Sequence, residues 1–181
     1  YIDKSKNANL QRYAEAFSFL QSKKLYTVDD LENTLYAMQD KIDTLKKSAS
    51  SKQARIKEVD ELLRMVDYYK SGKPAADKLK SIRFEKSRQK YKSEHDNELR
   101  TFYMAERKLK PHFKDGKVPI TAWRKERAQL EQEYKNIQTE LSPLHADTKK
   151  LWAIHYNIYE VQHEQERQNT ELRQKKQEIE H

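Results

Sequence analysis

The sequence predicts an all-α fold: an elongated antiparallel coiled-coil hairpin with a three-helix base and short helices capping a basic tip. Three observations predict it. Only two Gly and four Pro occur in 181 residues, too little punctuation for the connections of an all-β or α/β chain. Apolar residues make up 35% and recur at helical spacing, so ordered helices are expected although 36% of residues are charged and mean hydropathy is −1.18. One apolar seam also persists for more than five heptads: Val28, Leu31, Leu35, Met38, Ile42, Leu45, Ala49, Lys52, Ile56, Val59, Leu63 and Val66. Its steps alternate 3 and 4, and eleven of its twelve positions are apolar, Lys52 being the exception.

The elements follow in order. Leu10, Tyr13, Phe17 and Leu20 make one stripe, which predicts a first helix over about 9–23. Thr27-Val28-Asp29-Asp30 reads as a helix start, with the Thr27 hydroxyl accepting the Asp30 amide and the acids favouring the positive helix end. The seam then predicts a helix over 28–70, roughly 65 Å long at 1.5 Å per residue. Gly72 suits the residue past its end and Pro74 blocks continuation. A lysine-rich helix is expected over 75–92 with a thin apolar set of Leu79, Ile82, Phe84 and Tyr91. Ser93 is placed as the cap of a helix over 94–110 that carries Leu99, Phe102, Tyr103 and Leu109. Residues 112–120, with Asp115-Gly116 and Pro119, read as a loop.

Thr121 is the expected cap of the last helix, over 121–161, whose seam is Trp123, Leu130, Tyr134, Ile137, Leu141, Leu144 and Leu151, with Arg127 and Thr148 as polar members. Beyond it stand two stripes, Leu151-Ile154-Ile158-Val161 and Trp152-Tyr156-Tyr159, which suggests contact with two neighbours. Residues 162–181 form a polar helical tail. A folded connection makes the long helices antiparallel. Aligning Val28 with about Gln165 places Pro143 opposite about Ser50, so a bend is expected where Ser48-Ala49-Ser50-Ser51 meets it. The chain reads as a single helical domain, 1–181, and the absence of an initial Met suggests a fragment of a longer protein.

Several chemistries find no foothold. There is no Cys, which removes disulfides, thiolate metal sites and Cys nucleophiles. No apolar run approaches the roughly 18 residues of a membrane span, so no membrane insertion is expected. Without a secretory signal pattern the expected compartment is the cytoplasm. His95, His112, His145, His155, His163 and His181 are scattered without ligand spacing; Glu160 and His163 lie one turn apart but read as surface. Two isolated glycines cannot form a phosphate loop, and Asp29/Asp30 and Glu164/Glu166 read as solvated or capping acids. No catalytic, metal or cofactor residue is expected, and this segment is read as not an enzyme.

Charge carries the functional signal. One window holds Lys70, Lys73, Lys78, Lys80, Arg83, Lys86, Arg88, Lys90 and Lys92 against Asp77 and Glu85, a net of +7. A second holds Arg107, Lys108, Lys110, Lys114, Lys117, Arg124, Lys125 and Arg127 against Asp115 and Glu126, a net of +6. The chain totals +8, so the other 137 residues carry −5. Both windows flank turns between helices, which should bring them to one end. Such a face can be a solvated surface only. Two windows against an acidic remainder favour a polyanion, whose phosphates give up counterions to Lys and Arg. Aromatics interleave with these charges at Tyr68, Tyr69, Phe84, Tyr91, Phe102, Tyr103, Phe113 and Trp123; exposed ones can stack on bases and the rest build core.

The run Asn9-Leu10-Gln11-x-x-Ala14 with Leu20, then Thr27-Val28-Asp29-Asp30-Leu31, the heptad helix, the Lys/Tyr segment Phe84–Tyr91 and Gly116-Lys117-Val118-Pro119 resemble the C-terminal helical region of conjugative relaxases. These are the mobilization nucleases of integrative conjugative elements and transposons of Gram-positive bacteria. The resemblance covers most of residues 7–160. The family nicks DNA with a Tyr and a metal-binding His cluster in an N-terminal domain, and neither the cluster nor the glycine-rich strands around it occur here. The resemblance therefore implies a bacterial, cytoplasmic, non-catalytic accessory region that binds DNA with weak sequence specificity or docks to relaxosome and coupling proteins. A dimer is compatible with it. The rival expectation is a coiled-coil interaction or scaffold module with no DNA contact; a passive spacer is the third.

Overall fold

Helical periodicity is realised as five α-helices, and no β-strand is present among the described residues. They are α1 (Ile2–Ser22), α2 (Val28–Ser81), α3 (Glu85–Glu94), α4 (Asp96–Leu109) and α5 (Ile120–Ile179), with a short 3-10 turn, Lys110–His112, after α4. The structure is a computed structural model that describes residues 2–114 and 116–179, with side chains over 10–114 and 116–174. Asp115 and His181 lie outside the described residues. The chain divides into two compact units: Tyr1–Lys46 with Gln138–His181, and Lys47–Ile137.

In the first unit, α1 ends where Lys24 adopts φ 58°. The Leu25 amide donates to the Leu20 carbonyl at 3.0 Å and the Lys24 amide to Gln21 at 3.0 Å, a Schellman arrangement that satisfies the last carbonyls. The α2 start is capped from both sides. The Asp30 amide donates to the Thr27 hydroxyl at 3.1 Å, and the Thr27 amide donates back to the Asp30 carboxylate at 3.2 Å. The Thr27 side chain first, then the Tyr26 amide, hold the Asp30 carboxyl below the usual carboxylate range. Leu31, Leu35 and Leu151 are buried together, with Phe19, Leu20, Leu25, Met38, Ile154 and Ile158 packed around them. Three helices thus meet in this core.

The partner of each stripe differs from expectation. Leu10, Tyr13 and Phe17 of α1 are exposed, and so are Trp152, Tyr156 and Tyr159. One face of α5, through Leu151, Ile154 and Ile158, serves both neighbours, which leaves the Trp152 stripe to solvent. The register also differs. Lys41 pairs with Glu140 at 2.6 Å and Glu32 with His155 at 2.8 Å. These pairs make the α2 and α5 segments of this unit antiparallel and set Pro143 across from residues 38–44, not Ser50. Both helices continue unbroken, α2 through residues 48–51 and α5 through Pro143.

In the second unit, α2 does not stop near Lys70 but runs through Gly72 and Pro74 to Ser81. Tertiary packing overrides the local stop signals: Ala75 and Ala76 are buried against Leu99 and Phe102. At Gly72 α2 and α4 approach closely, because a Cβ there would stand 2.7 Å from the Phe102 Cβ and 3.0 Å from the Glu98 carbonyl oxygen. The helix expected over 75–92 is therefore the end of α2 and then α3. Ser93 lies inside α3, and His95 occupies the junction with α4 at φ −114°, ψ 24°. Helix α5 begins at Ile120 rather than being capped by Thr121, with the Trp123 amide donating to the Pro119 carbonyl at 3.0 Å. A second core joins Val59, Met65 and Val66 of α2 to Ala105 and Leu109 of α4 and Trp123 of α5. All twelve positions of the α2 seam are buried or half-buried, and Lys52, the polar one, bonds Glu133.

Candidate nucleic-acid interface

Both basic windows belong to the second unit. That unit holds 24 of the 37 Lys and Arg and 14 of the 29 Asp and Glu, a net of +10, which leaves −2 on the first unit. Its scaffold is aromatic. Phe102, almost fully buried, stacks on Tyr69 at 5.0 Å, Tyr69 meets Phe113 edge-on at 5.9 Å, and His112 meets Trp123 at 5.4 Å. These contacts lock the end of α2, α4 and the start of α5 together. Helix α3 lies outside this arrangement and has no buried residue. Its Tyr91 ring contacts His95, 4.2 Å away, and the Lys78 ammonium, 5.2 Å away.

The seventeen predicted cations fall into three groups. Lys108 and Arg127 are tied across helices, to Glu61 and to Asp60, and Arg127 also reaches Glu131 at 3.0 Å. The Lys108 hydrogen bond holds the Glu61 carboxyl below its usual range, and the Asp60 hydrogen bond raises Arg127. Lys73, Arg88 and Lys90 pair one turn along their own helices with Asp77 (3.3 Å), Glu85 (3.7 Å) and Glu94 (3.9 Å). Such exposed pairs are each worth about 0–1 kcal/mol. The other twelve have no acidic partner among the described residues: Lys70, Lys78, Lys80, Arg83, Lys86, Lys92, Arg107, Lys110, Lys114, Lys117, Arg124 and Lys125. All twelve are exposed.

Predicted residues are brought together in two places, one within a single turn and one between the two windows. Lys114 and Lys117 face each other across a turn, exchanging amide–carbonyl bonds of 2.8 and 2.9 Å, with Gly116 at φ 72° supplying the reversal. Lys92 of the first window and Arg107 and Lys108 of the second line one groove, which also contains Asp96, Arg100 and Tyr103. Arg100 escaped the sequence reading because it stands outside both windows, near Asp96 and Glu98. Its position seven residues before Arg107, with Tyr103 between, was the available signal.

Other candidates do not converge. Among the described residues, no group of three or more His, Asp or Glu could hold a metal ion. His163 sits against the Tyr159 ring at 4.2 Å and 3.6 Å from Glu166. No helix among the described residues is long and apolar enough to cross a membrane. No family model, curated protein or solved structure matches this chain.

Proposed function

We propose that this chain is a non-catalytic accessory module of a conjugative DNA-transfer relaxase, acting in the bacterial cytoplasm. It binds DNA phosphates through the basic surface of its second unit, docks to the relaxosome or its coupling proteins, or does both. The observation that carries the reading is the set of twelve exposed cations with no acidic partner among the described residues. Internal ion pairs do not consume their charge, so it remains for phosphates, which give up condensed counterions on contact. Binding by charge alone positions a duplex or strand without reading its sequence.

Fluorescence anisotropy with labelled single-stranded and duplex DNA at several salt concentrations tests it. Affinity is expected to fall linearly on a log–log salt plot, with a slope of about −0.9 per phosphate on duplex DNA. Lys86/Arg88/Lys90/Lys92→Glu should flatten that slope and weaken binding. No binding by the unmutated chain near about 50 mM salt would remove the proposal, since phosphate contacts are strongest at low salt.

A coiled-coil interaction or scaffold module without DNA contact is the second reading. The exposed α1 stripe favours it, with Leu10 at 67%, Tyr13 at 61% and Phe17 at 63% exposure. It predicts concentration-dependent association that survives the four-residue charge reversal.

A further inference from the structure

We infer that the groove along α4 is a single-stranded DNA site in which one unpaired base stacks on Tyr103 while Lys92, Arg100 and Arg107 hold the flanking phosphates. The inference rests on the phosphate-binding reading above and deepens it by naming the strand form.

The groove measures ≈ 720 Å³. Tyr103 is 40% exposed within it. Its ring meets the ring of Phe102 edge-on, centroids 5.3 Å apart, and Phe102 is itself 1% exposed. A fixed partner therefore holds the ring in place. Arg100 and Arg107 stand one turn to either side of Tyr103 on the same helix, about 10 Å apart along its axis. Lys92 enters from the end of α3.

Charge complementarity selects the occupant. Lys92 and Arg107 have no acidic partner among the described residues. Asp96, the acid lining the groove, lies 3.8 Å from Arg100, and both side chains are exposed; a phosphate competes easily with so weak a pair. Cations alone would accept any phosphate array. An aromatic ring between guanidinium groups adds something that only an unpaired base can use, because a duplex covers both faces of each base with its neighbours. An acidic peptide would use the cations and leave the ring idle.

The test is anisotropy at one fixed salt concentration with labelled oligo-dT and a hairpin duplex of equal nucleotide number, for the unmutated chain, Tyr103→Ala and Tyr103→Phe. Circular dichroism confirms that each variant keeps its helices. Loss of one stacked base should weaken oligo-dT binding by roughly 5- to 150-fold in Tyr103→Ala. Duplex binding should change less than about twofold, and Tyr103→Phe should behave as the unmutated chain, since stacking needs the ring and not the hydroxyl. Duplex binding with no single-strand preference, or a Tyr103→Ala effect equal on both substrates, overturns this inference and leaves the phosphate-binding reading standing. Failure of the unmutated chain to bind either substrate removes both.

Discussion

Gly72 shows how a single residue decides the geometry beneath the candidate interface. In a helix interior, Ala is favoured over Gly by roughly 1 kcal/mol, so Gly72→Ala would stabilise α2 if nothing stood nearby. Here the added methyl would meet the Phe102 Cβ at 2.7 Å and the Glu98 carbonyl at 3.0 Å. Neither can swing aside as the tip of a flexible side chain would. Overpacking of this kind costs about 1–3 kcal/mol, which exceeds the propensity gain. Gly72→Ala is therefore expected to lower the urea midpoint. In a double-mutant cycle with Phe102→Gly, which removes the Cβ that the new methyl meets, its penalty should shrink. A stabilised Gly72→Ala would show that α2 and α4 are farther apart than described. The same closeness explains why Gly72 resembled a helix end in the sequence. A glycine chosen for close approach and one chosen for a left-handed turn look alike until the partner helix is known.

At the scale of elements, the α2 seam and the starts of α2 and α5 were legible; the end of α2 and the covering of the outer stripes were not. The α2 seam needed only its 3/4 spacing, and even its polar member has a physical account, since Lys52 bonds Glu133 and lowers that carboxyl's pKa. The stop after Lys70 was misread because Pro74 is a local signal, whereas burial of Ala75 and Ala76 against Leu99 and Phe102 is a tertiary one. The exposed Leu10–Phe17 stripe was misread because spacing reveals a face but not whether a neighbour covers it. Of the candidate site, the two charge windows were legible by counting. Arg100 and the groove with Tyr103 were not, because they require knowing which side of α4 Phe102 and Leu99 bury. Pro74 offers a direct test. It is exposed, lies inside α2 and deprives the Lys70 carbonyl of its usual helical donor. An interior proline costs about 3 kcal/mol, so Pro74→Ala is expected to stabilise the chain by about 1–3 kcal/mol, read as a higher urea midpoint. An unchanged or lower midpoint would mean that α2 does not continue through Pro74 as a regular helix.

At the scale of the whole molecule, the division of charge coincides with the division of structure. The second unit is a single uninterrupted stretch, Lys47–Ile137, whereas the first is assembled from both ends of the chain. That stretch contains both basic windows and both cores built on α4. Its helices hold one another through ion pairs that do not leave the unit: Lys52 with Glu133, Arg55 with Glu126 at 2.7 Å, Asp60 with Arg127 and Glu61 with Lys108. The Glu126 hydrogen bond raises Arg55 above its ordinary value. Exposed pairs of this kind set register more than they add stability; the buried Val59, Val66, Phe102, Leu109 and Trp123 supply the apolar contribution. Residues 47–137 alone are therefore expected to unfold cooperatively in urea and to bind DNA within about threefold of the full chain. Their salt slope should be unchanged, because the slope counts phosphate contacts and every counted cation is retained. Cooperative unfolding with lost DNA binding would assign the contact to the first unit, whose net charge of −2 offers phosphates no general attraction. Unfolding without a cooperative transition would mean that the cores on α4 need the remainder of α2 and α5 to persist.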